Sequence, residues 1–196
     1  MNICVFCSSS NALASAYFNH AKELGRLIAN KGHELVYGGA NVGLMEHLAL
    51  AVKNDGGKIT GVIPQKIHDR ELASLHPDQL IVTASMDERK RKMREIADAF
   101  IALPGGFGTL EEILEVITLK QLDYHRKPIV FINTRGFFDL LLKQFDFSYE
   151  EKFAKENYRS LYKVVSSPAE AMEYIGNYVE KPIDSKWFKV PNRPKD

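Results

Sequence analysis

Cysteine is scarce: 196 residues hold two, Cys4 and Cys7. Without a second Cys pair they cannot supply the four ligands of a structural zinc. A thioredoxin-type C-x-x-C opens a helix, whereas these thiols flank Val5 and Phe6 inside an apolar run. They read as two small strand residues, and free thiols fit a reducing cytoplasm. Net charge is equally scarce. With 26 Lys+Arg against 25 Asp+Glu the balance is +1, which gives no reason to expect non-specific binding to nucleic acid or to an anionic membrane. No apolar run reaches the roughly 18 residues of a membrane span. The opening residues 1–7 lack the basic region and long apolar stretch of a signal peptide. They read as a first strand, and a cytoplasmic protein is expected. Two nucleotide motifs are missing as well. No G-x-x-x-x-G-K-[ST] occurs, which excludes a Walker-type ATPase, and no G-x-G-x-x-G follows the first strand, which weakens a dinucleotide reading. There is no compact His/Asp/Cys cluster to hold a metal, so neither metal nor cofactor is expected.

What is present is a regular alternation. A hydrophobic content of 45% is enough for one core in one domain. Residues 3–7, 33–37, 58–63, 80–83, 99–103, 128–132 and 163–166 read as strands. Residues 12–30, 44–54, 89–97, 109–124, 136–147, 149–157 and 168–179 read as helices. Ser85-Met86-Asp87-Glu88 is a capping box before the basic helix. Residues 65–79 are the least regular part. This rhythm predicts an α/β fold, a parallel sheet with helices on both faces, formed as a single domain over residues 1–181. Residues 182–196 hold three prolines, with Trp187, Phe188 and Val190 among few apolar residues. They read as a tail that packs on a partner or is disordered. Three strands end in polar or glycine-rich loops, at residues 8–11, 38–43 and 105–109. Ligands of such sheets sit at the carboxyl ends of the strands, so these loops are expected to converge.

The most telling stretch is Leu103-Pro104-Gly105-Gly106-Phe107-Gly108-Thr109-Leu110-Glu111-Glu112. A buried strand, a loop with three glycines and a helix start make an anion site, because the first helical N–H groups lack partners and the dipole is positive there. Thr109 is the expected N-cap. Glu112 then has two readings. Thr109-Leu110-Glu111-Glu112 is itself a capping box, or the carboxylate serves chemistry beside a phosphate. The helix carrying Arg89, Lys90, Arg91, Lys92 and Arg94 has basic residues all round, so at least one points inward and needs a carboxylate or phosphate.

These residues carry a resemblance. Residues 104–112 match the PGGxGTxxE signature of the LOG ("Lonely guy") family of phosphoribohydrolases. Met86-Asp87-Glu88-Arg89-Lys90 resembles its MxERK segment. Tyr37-Gly38-Gly39 with Gly43-Leu44-Met45 resembles its YGG…GLM segment, and residues 3–10 its ICVFCGSS opening. The resemblance covers about residues 1–180 and includes the 23-residue spacing from Arg89 to Glu112. It implies a modified Rossmann fold, a homodimer or higher oligomer with sites near the interface, and hydrolysis of the N-glycosidic bond of N6-substituted adenosine 5′-monophosphates to free base and ribose 5-phosphate. Carried over by motif, Arg89 and Glu112 are the catalytic pair. Lys90, Gly105, Gly106, Phe107, Gly108, Thr109, Leu110 and Glu111 contact the substrate. Glu71 and Thr118 match binding positions less closely, and Thr118 shares a helix face with Glu111 and Glu115 rather than with Glu112. Ser8, Ser9, Ser10 and Gly39 are candidate helpers for the phosphate. Three residues depart from the family pattern: Ala40 and Glu46, where glycine is usual, and Asp87, where histidine is. The alternative is a non-catalytic protein of the same fold that carries a nucleotide or a molybdenum cofactor. A lysine decarboxylase, a label this family has often carried, needs a Schiff-base lysine that no sequence feature singles out.

Overall fold

The computed structural model describes residues 1–184 and Lys186; Trp187, Phe188 and Val190 of the expected tail lie outside the described residues. Seven strands form one all-parallel sheet: β1 (Asn2–Phe6), β2 (Glu34–Tyr37), β3 (Lys58–Pro64), β4 (Gln79–Thr83), β5 (Ala99–Ala102), β6 (Ile129–Ile132) and β7 (Lys163–Val165). Their order is β4-β3-β2-β1-β5-β6-β7. The register pairs Cys4 with both Val36 and Phe100. The expected α/β architecture is therefore present, with each predicted strand within a residue or so of its place.

Strand alternation sorts the core into two layers. Ile3, Val5, Leu35, Tyr37, Ile101 and Val130 face one side. There they meet α1 (Ser15–Asn30), α2 (Gly43–Asn54) and α7 (Pro168–Gly176). Cys4, Phe6, Val36, Phe100, Ile129 and Phe131 face the other side. They meet α4 (Met86–Ile96), α5 (Phe107–Gln121) and α6 (Asp139–Glu150). A one-turn helix, α3 (Gln65–His68), interrupts the segment read as irregular. Both cysteines are buried and free, Cys4 within β1 and Cys7 one residue beyond it.

Several boundaries differ from expectation for local reasons. α1 starts at Ser15, three residues late, after the extended Ala14. α6 starts at Asp139 rather than 136, because Arg135 and Gly136 both take positive φ. Residues 149–157 do not form one helix. α6 stops at Glu150, Lys152 turns left-handed (φ 62°), and a 3-10 helix follows at Glu156–Leu161. Thr109 is not an N-cap. Gly106 holds that position in an extended conformation, and α5 begins at Phe107, so Thr109 sits inside the first turn. The capping box behind Ser85 does form: its side chain accepts the Glu88 N–H at 3.1 Å.

The strand order reverses direction between β1 and β5, so the loops after these two strands open a crevice. They are tied to each other and to the start of α2. Ser8 N–H donates to the Pro104 carbonyl at 3.2 Å, and Leu44 N–H donates to the Ser8 carbonyl at 2.9 Å. Gly43 N–H reaches Asn11 Oδ1 at 2.8 Å. Gly43 has φ +60°, and a Cβ there would stand 2.6 Å from the Ser8 carbonyl oxygen, so this junction requires glycine.

α1 and α2 approach closely at Gly25, where a Cβ would lie 2.7 Å from the Leu48 carbonyl oxygen and 2.8 Å from Ala51 Cβ. Helix propensity alone predicts that Gly25→Ala gains about 1 kcal/mol. The packing predicts the opposite sign, a loss of about 1–3 kcal/mol from overpacking. Urea denaturation of the two proteins checks which term prevails.

Candidate active site

A cavity of about 790 Å³ lies at the carboxyl ends of β1, β2, β3 and β5. All three predicted loops reach it, through Ser8, Ser9 and Ser10, through Gly38 and Ala40, and through Gly106, Phe107, Gly108 and Thr109. Arg89 and Glu112 also line it.

Arg89 extends from the first turns of α4 and is held by three other elements. Its Nε donates to the Val62 carbonyl of β3 at 3.1 Å. Its Nη1 donates to the Glu112 carboxylate of α5. Its Nη2 lies against Gly38, where a Cβ would overlap it. The Arg89 and Glu112 side chains are 11% and 9% exposed. Burial pushes the Glu112 carboxyl above its ordinary value, and the Arg89 charge pulls it back. Thus Glu112 is engaged by Arg89 across two helices, and the capping-box reading of its side chain is excluded.

One turn behind, the same two helices are laced by further pairs. Lys90 meets Glu111, and stands 3.5 Å from Glu115. Arg94 meets Glu115 at 2.6 Å. The hydrogen bond to Glu111 holds the Lys90 ammonium above its ordinary value. Lys90 and Glu111 are therefore occupied with each other and do not line the cavity. Leu110 packs into the core, and Gly105 underlies the loop, close to Thr109 and the Ser8 N–H. Glu71 is exposed at the rim with φ 61°, its carbonyl accepting from Asn41 Nδ2 at 3.4 Å. Thr118 lies almost three turns along α5, beside Leu114 and Gln121 and away from the cavity.

At the start of α5, the first capping bond runs from Leu110 N–H to the Gly106 carbonyl at 3.1 Å. Helix geometry leaves the N–H groups of Phe107, Gly108 and Thr109 without intrahelical acceptors, directed at the cavity mouth. The opposite wall is apolar: Val42, Met45, Pro64, Ile67, Leu72 and Met86. Sequence reading placed Val42, Met45 and Met86 within the motif segments without assigning them to the site, and it missed Pro64, Ile67 and Leu72, because scattered apolar residues carry no local signal. Leu72 is fixed there by a strap across the β2–α2 loop, with Asn41 N–H donating to the Leu72 carbonyl and Ser74 N–H to the Gly39 carbonyl, each at 2.9 Å.

A sequence profile described as "Possible lysine decarboxylase" matches residues 45–175. The chain is 40% identical over 182 residues to the cytokinin riboside 5′-monophosphate phosphoribohydrolase LOG of Oryza sativa subsp. japonica, covering 90% of this chain and 74% of that protein. It is 43% identical over 166 residues to the enzyme named LOG4 of Arabidopsis thaliana, covering 85% and 76%. The chain belongs to the LOG family. Curated LOG members are named phosphoribohydrolases, which are hydrolases acting on N-glycosyl bonds. Among solved structures, the molybdenum cofactor binding protein of Rippkaea orientalis superposes with TM-score 0.69 at 29% identity, covering 89% of this chain and 94% of that one. The molybdenum cofactor carrier protein of Chlamydomonas reinhardtii gives TM-score 0.67 at 24% identity, covering 89% and 95%, a likeness of fold.

The three departures from the LOG pattern each have a place. Glu46 does not line the cavity; its carboxylate accepts from Ser74 Oγ at 2.9 Å and meets His76 Nε2 at 2.8 Å. Asp87 is 97% exposed on the outside of α4. Ala40 pairs with Ala73 in the strap and presents its methyl group to the cavity.

Burial raises both thiols well above their ordinary range. Iodoacetamide at pH 8 should leave Cys4 and Cys7 unmodified in the folded chain and alkylate both after denaturation, which mass spectrometry reads directly.

Proposed function

We propose that this chain hydrolyses the N-glycosidic bond of nucleoside 5′-monophosphates, N6-substituted AMP among them, releasing the free base and ribose 5-phosphate. The observation that carries this reading is a carboxylate, Glu112, at the edge of a cavity otherwise built for an anion. A pure phosphate binder gains nothing from that carboxylate.

In this reading the 5′-phosphate sits on the N–H groups of Phe107, Gly108 and Thr109, with the serines after β1 beside it. The base lies along Val42, Ile67 and Leu72. Cleavage builds positive charge at C1′ of the ribose, and the Glu112 carboxylate stabilises it and orients the attacking water. Arg89 cannot act as a proton donor at neutral pH. Its work is to hold Glu112 ionised and aimed, through bonds that fix the guanidinium itself. Losing the phosphate would leave helix N–H donors unpaired, which gives discrimination against plain nucleosides. A Schiff-base role finds no lysine among the described residues that line this cavity, and Lys90 is held protonated by Glu111. The homodimer and the cytoplasmic setting implied by the family belong to the same proposal, the first testable by sedimentation.

The likeness to the Rippkaea orientalis protein supports a second reading, a carrier that binds without turnover. Incubation with AMP and with N6-isopentenyl-AMP, followed by assay of free base and ribose 5-phosphate, separates the two. Base release is expected, falling about 10²–10⁴-fold in Glu112→Gln with the circular dichroism spectrum unchanged. Undiminished release in that variant overturns the mechanism, and tight binding without release selects the carrier.

The pH profile carries a further prediction. The ionised form of Glu112 is the active one, so the rate falls as pH drops through a pKa that burial has raised. The acid limb should therefore lie above the ordinary glutamate range. In Arg89→Ala it should move to still higher pH, because the charge that lowers this pKa is gone.

A further inference from the structure

A second cleft, of about 470 Å³, opens at the other end of the sheet. α5 and α7 end there and β7 begins there, so it lies at the amino-terminal edge of the parallel strands. Lys120 is one of its lining residues and is only 2% exposed. Its Nζ donates to the Tyr178 hydroxyl at 3.1 Å and stands 5.0 Å from the centre of that ring. The same hydroxyl donates onward to the Arg126 carbonyl at 2.7 Å.

An ammonium carries three donors, and among the described residues Tyr178 Oη is the one acceptor within hydrogen-bond distance. Among the described residues no carboxylate comes within ion-pair distance; Glu180 acts on Lys120 from farther away. Burial accordingly pushes the Lys120 pKa down to about 8. A lysine kept only for packing would be replaced at a gain by methionine, since a buried cation without a counter-charge is costly.

The lining of the cleft supplies a reason for a cation. Among the described residues it contains Lys120, Arg159, Lys163 and Lys181 and no Asp or Glu, in a chain whose charges otherwise balance. Arg159 is already held by Asp146 and Glu156. Lys163 and Lys181 are exposed at the mouth and make no ion pair among the described residues. Tyr162, Tyr174 and Ile183 add apolar wall suited to an organic body.

We propose that this cleft binds a small organic phosphate, with Lys120 as its internal counter-charge and Lys163 and Lys181 at its entrance. The site is separate from the Arg89–Glu112 cavity and does not depend on the function proposed for it.

Pyridoxal 5′-phosphate tests this as a probe, being both a phosphate ester and an aldehyde. With the phosphate held by Lys163 and Lys181, the Lys120 ammonium gives up a proton to the buffer, the free amine attacks the aldehyde carbon, water leaves, and borohydride added in the assay reduces the imine so that the modified lysine can be mapped by peptide mass. Lys120 should be labelled ahead of every other lysine of the full chain. Pyridoxal, which lacks the phosphate, should label it at least about tenfold more slowly, and inorganic phosphate should slow labelling by the phosphate ester several-fold. Lys120→Met should fold, unfold at a higher temperature in phosphate-free buffer, and keep the wild-type rate of base release. Labelling spread evenly over the lysines overturns the proposal. So does labelling of Lys120 that ignores both phosphates, which would mark a reactive amine with no anion site around it.

Discussion

The Arg89–Glu112 ion pair is the interaction on which the cavity end of the molecule depends. It joins α4 to α5 at the one place where both helices reach the cavity, and the Lys90 and Arg94 pairs continue the seam behind it. Buried pairs of this kind add little net stability, yet removing one partner costs about 3–5 kcal/mol because the other is left uncompensated. The geometry therefore buys position rather than stability. Glu112 cannot rotate toward solvent without stranding Arg89, and Arg89 cannot withdraw without abandoning the Val62 carbonyl of β3.

Division of labour around the cavity follows from which element supplies each part. On the proposed function, anion recognition rests on backbone N–H groups at a helix start, which side-chain substitutions other than proline leave in place. The charge stabilisation proposed rests on one carboxylate, Glu112, whose environment is set by Arg89 of the neighbouring helix. The apolar wall of the cavity comes from the β2–α2 loop, the end of β3 and a strap that ends at Ser74. On the proposed function, phosphate binding and base selection thus rest on separate elements of one fold.

Much of this was legible in the sequence, and the failures have physical causes. Strands were read correctly because parallel strands buried on both faces are short apolar runs between turns. The glycine loop was expected to lead into a helix start, and α5 does begin within it, at Phe107. Glu112 was ambiguous because Thr109 and Glu112 have capping-box spacing, and only the extended Gly106 shows that the helix starts earlier. Lys90, Glu111 and Thr118 belong to the right segments, yet within one chain they face away from the cavity. Glu46 looked out of place because its partners, Ser74 and His76, lie 28 and 30 positions away. No window of local sequence contains such a pairing.

The central pairing of β1 with β5 joins Ile3 to Ala99 and Phe6 to Ala102. Contacts that close so long a loop pay their entropy before any local gain offsets it, and they tend to form late. Ser8, Arg89 and Glu112 become neighbours only once that closure is complete. A nascent chain emerging from the ribosome can build the β1–α1–β2–α2 segment while holding no trace of the Arg89–Glu112 pair. Recovery of activity during refolding would then report the final long-range docking step, a readout that helix content alone would pass over.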